Sequence, residues 1–68
     1  MLYEAGQFVE AVKVLQQAVK SYGSQGNELR QAVALGNLAL AYQKLGNLPQ
    51  AQQAITDSFK LVEESSNA

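Results

Sequence analysis

The chain has 68 residues, 47% of them hydrophobic and 16% charged, with a formal net charge of −1. This length allows one small domain, and the absence of cysteine and histidine excludes disulfides, most zinc sites and the catalytic groups built on those side chains. Five scattered basic residues argue against nucleic acid or an anionic membrane as a partner, and the lack of a signal peptide or a membrane-spanning apolar run makes the cytoplasm the expected compartment.

The first predicted full helix covers residues 7–22 and follows a short apolar segment. We expect residues 1–5 to be the end of a helix whose beginning is absent, with Gly6 as its C-cap. Over residues 7–22, apolar side chains recur at three- and four-residue steps, which is typical of an amphipathic helix. This stripe consists of Phe8, Ala11, Val12, Leu15, Ala18, Val19 and Tyr22. Two glycines and two serines within residues 21–26 then predict a loop.

The second helix is predicted over residues 28–45, with Asn27 as a suitable N-cap. Its apolar stripe consists of Leu35, Leu38, Ala39, Tyr42 and Leu45. Gly36 lies inside this helix, where glycine costs about 1 kcal/mol relative to alanine. A glycine at that position suggests close approach by another helix or by a ligand.

The third helix is predicted over residues 48–63, after a tight turn at Gly46-Asn47. Asn47 can cap this helix together with Gln50, and Pro49 lies in the first turn, where its missing N–H is no loss. The predicted buried stripe consists of Ala51, Ile55, Ser58 and Val62, with Leu48 and Phe59 at its edges.

The chain repeats itself with a period of about 40 residues, which is the range found in helical solenoids. A shift of that length places Gly6 on Gly46, Ala11 on Ala51, Leu15 on Ile55, Val19 on Phe59 and Tyr22 on Val62. The predicted fold is therefore all-α: antiparallel helices of a repeat protein, with the last two forming a hairpin.

The second and third helices resemble the tetratricopeptide repeat. In that family a large residue precedes Leu-Gly and Tyr on the first helix, and Ala, Phe, a second Ala and a terminal Pro follow on the second. Tyr42 and Ala51 match this pattern, and Leu38-Ala39 takes the place of Leu-Gly. Departures from the pattern are Leu35 for Trp, Ile55 for Phe, Ser58 for a second Ala and Glu63 for Pro.

The resemblance covers residues 1–68 as about one and a half repeats. Residues 1–6 and 7–22 correspond to the end of one helix and the second helix of a first repeat, and residues 28–63 to a complete second repeat. The period exceeds the usual unit of about 34 residues, which resembles the longer repeats of kinesin light chains and of cyanobacterial arrays that precede a caspase-like CHAT domain. HEAT-like repeats share the longer period, but the short Gly-Asn turn favours the tetratricopeptide repeat.

The resemblance implies a scaffold that binds a protein or peptide in a concave groove, with no catalysis, cofactor or metal. In this family the first helix of a repeat lines that groove, where an asparagine often bonds the backbone of a bound peptide. The implied groove residues are Asn37, Val33, Gly36, Leu40, Gln43 and Lys44. Alternatively, Asn37 simply faces water or bonds to a neighbouring helix, and Val33 and Leu40 pack against a helix that is absent here.

A second functional hypothesis is a structural spacer or a self-associating segment of a larger array. Repeats of a solenoid bury their apolar faces only against neighbouring repeats. We therefore expect exposed apolar surface, and association between copies of the chain, at Val9, Val14, Val33 and Leu40.

Overall fold

The computed structural model of the chain describes residues 5–66, and the side chains of residues 6–64. This part consists of three helices: α1 (Ala5–Ser24), α2 (Glu28–Lys44) and α3 (Leu48–Ser66). The predicted all-α class is confirmed, and residues 5–66 contain no strand. Each predicted helix is present, with ends that differ from the predicted ends by at most three residues.

The predicted C-cap at Gly6 is wrong, because Gly6 lies in the first turn of α1. Positive φ angles in the described part occur at Gly26 (71°) and Gly46 (78°) and not at Gly6. Asparagine follows both of these glycines, whereas glutamine follows Gly6. Glycine alone is thus a weaker stop signal in this chain than Gly-Asn. The helix end predicted over residues 1–5 lies largely outside the described residues.

The same turn closes α1 and α2. At the end of α1, the N–H of Asn27 donates to the carbonyl of Tyr22 (2.9 Å) and the N–H of Gly26 to that of Gly23 (3.1 Å). At the end of α2, the corresponding bonds run from Asn47 to Tyr42 (2.8 Å) and from Gly46 to Gln43 (3.0 Å). Both are Schellman motifs, in which a left-handed glycine lets the chain satisfy the last carbonyls of the helix. The loop predicted over residues 21–26 is therefore shorter than expected.

Each turn also supplies the N-cap of the next helix. The side-chain oxygen of Asn27 accepts a hydrogen bond from the N–H of Arg30 (3.2 Å), as predicted from the sequence. Asn47 and Gln50 are paired as well, although the bond joins their two side chains rather than a side chain and a backbone N–H. The local sequence Tyr-x-x-x-Gly-Asn thus ends one helix and begins the next at both positions.

Helix α2 lies between α1 and α3 and packs against both. Gln16 of α1 bonds to Tyr42 of α2, whereas Val19 bonds to Gln31, so α1 and α2 run antiparallel. The buried core consists of Leu35, Leu38, Ala39 and Tyr42 of α2 with Ala51 and Ala54 of α3, and Val12, Leu15, Val19 and Leu61 pack around it. The stripe predicted for α2 therefore forms the centre of the fold, except that Leu45 is only half-buried.

The stripe predicted for α3 is wrong in part, because α3 packs through a different face. Ala51 and Ala54 are buried, and the hydroxyl of half-buried Ser58 donates to the carbonyl of Ala32 (3.2 Å). Ile55 and Val62, expected to be buried, are 45% and 46% exposed. Two alanines and a serine let α3 approach α2 closely, and no other helix of the described chain covers the side that carries the larger residues.

Candidate functional site

The outer face of α2 is exposed over most of its length. Helical spacing places six residues on it: Val33, Gly36, Asn37, Leu40, Gln43 and Lys44. Val33 and Leu40 are 61% and 52% exposed, although both are apolar. Apart from the adjacent backbone of α2, no atom lies within 4 Å of the position that a Cβ of Gly36 would occupy, so no packing contact in the described chain requires a glycine there. This face is therefore open to a ligand along its whole length.

A groove of about 340 Å³ lies between α1 and the first half of α2. We call it the α1–α2 groove, and its lining residues are Leu15, Ala18, Tyr22, Leu29, Arg30, Val33, Ala34 and Asn37. The buried Ala34 and the half-buried Leu15 and Ala18 form its floor, whereas Leu29 and Val33 stand at its rim, more than 60% exposed. A concave apolar surface with a few polar groups is the usual form of a ligand site.

Two polar side chains in the α1–α2 groove can direct a ligand. Within the described residues, the side-chain amide of Asn37 has no hydrogen-bond partner and the guanidinium of Arg30 has no ion pair. Asparagine offers both a donor and an acceptor, and arginine offers a fork of donors that suits a carboxylate. The groove therefore combines an apolar floor with polar groups whose bonding capacity is unused.

Comparison with known proteins assigns the chain to a family. A family model described as tetratricopeptide repeat matches residues 1–64. The chain belongs to the tetratricopeptide repeat family. Searches of curated proteins and of solved structures returned no significant match. Tetratricopeptide repeats generally mediate protein–protein interactions and are typically non-catalytic scaffolds.

In this tetratricopeptide repeat chain, two of the six predicted groove residues, Val33 and Asn37, line the α1–α2 groove. Gly36, Leu40, Gln43 and Lys44 continue the same exposed face of α2 but lie outside the groove. The expected exposure of Val9, Val14, Val33 and Leu40 is also confirmed, at 45% or more for each.

Sequence reasoning missed several residues that line the α1–α2 groove. Leu29 precedes Val33 by four residues and Arg30 precedes Asn37 by seven, so helical spacing could have extended the predicted face to both. The α1 residues Leu15, Ala18 and Tyr22 were assigned to the core stripe. They are half-buried and face both α2 and the groove.

A second depression, of about 740 Å³, is less suited to a specific ligand. It lies on the other side of the α1–α2 contact and is lined by Lys13, Gln16, Gln17, Val19, Lys20 and Gln31. Most of these side chains are long, polar and exposed. Ordering such side chains costs conformational entropy, which weakens any binding that depends on them.

The described part of the chain does not gather the ligands of a metal site. No group of three or more His, Cys, Asp or Glu side chains comes together there. Among the same residues, no helix has both the length and the apolar character needed to cross a membrane.

Proposed function

We propose that the α1–α2 groove, together with the outer face of α2, binds a peptide or an exposed segment of another protein. The proposal rests on one observation above all: Val33, more than half exposed, stands beside the unpaired amide of Asn37 at an apolar groove. The function is binding by shape and polar complementarity, without catalysis, cofactor or metal. Membership of the tetratricopeptide repeat family supports a protein as the partner.

Asn37 is proposed as the polar anchor of the site. Its amide can accept from a peptide N–H and donate to a peptide carbonyl, which suits an extended backbone. Gly36 beside it leaves open space, so a ligand backbone can approach α2 closely. Leu40, Gln43 and Lys44 then extend the contact along α2, beyond the end of the groove.

A random peptide library selected against the immobilised chain provides the test. We expect enriched peptides to shift the amide NMR signals of Val33, Asn37 and their neighbours. Asn37→Ala should weaken binding about two- to twelvefold in calorimetry, which corresponds to about 0.5–1.5 kcal/mol for one hydrogen bond. Gln17→Ala is the matched control, because it also removes an exposed amide but lies on α1 outside the groove.

The proposal fails if selected peptides shift signals only elsewhere, or if none can be selected. If the Asn37→Ala and Gln17→Ala variants bind the selected peptides equally well, Asn37 does not contribute to binding. Circular dichroism of both variants must match the unmodified chain, so that a loss of binding is not a loss of fold.

We further infer that the repeats are of the 40-residue type, as in kinesin light chains and in cyanobacterial arrays linked to CHAT domains. The sequences of α1 and α3 correspond at that spacing, with Ala11 matching Ala51 and Val19 matching Phe59. This correspondence supports the subtype. A protein partner in the cytoplasm, rather than nucleic acid or a membrane, is proposed on the near-neutral charge and the absence of cysteine. The alternative function, a self-associating segment, is favoured by the exposed face of α3.

A further inference from the structure

We draw no further inference here: the strongest candidate, the exposed apolar row on α3 formed by Leu48, Ile55, Phe59 and Val62, carries none because nothing in the described part of the structure shows what covers it.

Discussion

Replacement of Ala51 by leucine tests whether the close contact between α2 and α3 holds this fold together. Ala51 is 6% exposed and belongs to the buried cluster with Leu38, Ala39 and Tyr42. Its position has room for a methyl group because α3 approaches α2 through small residues. Leucine adds three carbon atoms, and these atoms must push the two helices apart or force neighbouring side chains out of their rotamers.

Two opposing effects decide the size of the change. If the added carbons could be accommodated, each buried methylene would contribute about 0.8 kcal/mol of stability. Overpacking of a tight contact instead costs about 1–3 kcal/mol. We expect the second effect to dominate at Ala51, because the neighbouring Ala54 and Ala39 are themselves only 4% exposed, so the added carbon atoms would be surrounded by other buried residues. For a domain of this size, such a loss lowers the melting temperature by about 4–24 °C.

The assay is thermal unfolding followed by circular dichroism, with urea unfolding as an independent measure. Thr56→Leu is the control, since it places leucine on the same helix at an exposed position. The control should melt at the temperature of the unmodified chain or slightly above it. An Ala51→Leu chain that melts with the control would show that α2 and α3 are not in close contact at this position.

Other substitutions test two helical glycines and a hydrogen bond between α1 and α2. Gly36→Ala should stabilise the chain by about 1 kcal/mol in urea unfolding, because its Cβ meets nothing within 4 Å. Gly23→Ala should stabilise the chain less, or destabilise it, because the new Cβ would lie 2.6 Å from the Gln31 side chain. Equal gains in stability at both glycines would contradict the clash expected at residue 23. Tyr42→Phe should lower the free energy of unfolding by about 0.5–1.5 kcal/mol, because the Tyr42 hydroxyl accepts a hydrogen bond from Gln16 (2.8 Å). An unchanged melting temperature would show that this hydrogen bond does not stabilise the fold.

The residues that line the α1–α2 groove, the candidate site, were only partly predictable from the sequence. Val33 and Asn37 were found because they lie off the buried stripe of α2, which helical periodicity reveals without any knowledge of neighbouring helices. The α1 side of the groove was not found, because Leu15 and Tyr22 look like ordinary core residues in the sequence. Whether a half-buried residue faces the core or a groove depends on how two helices cross, and no local pattern records that angle.

The buried face of α3 was likewise not fully predictable from the sequence. The sequence prediction placed Ala51, Ile55, Ser58 and Val62 on the buried face, whereas the structure buries Ala51 and Ala54 and leaves Ile55 and Val62 exposed. Close approach to α2 requires the small residues, so the alanine row is buried and the larger side chains remain exposed.

The sequence by itself determined the three helices, their ends to within three residues, and their antiparallel order. These features depend on interactions within a few residues: the apolar steps of three and four, the left-handed glycines at 26 and 46, and the asparagine caps that follow them. Only the tertiary structure decided which apolar face of each helix is buried and which side chains border the groove. Burial depends on the distance and angle between helices, and these follow from the sizes of side chains that lie far apart in the chain.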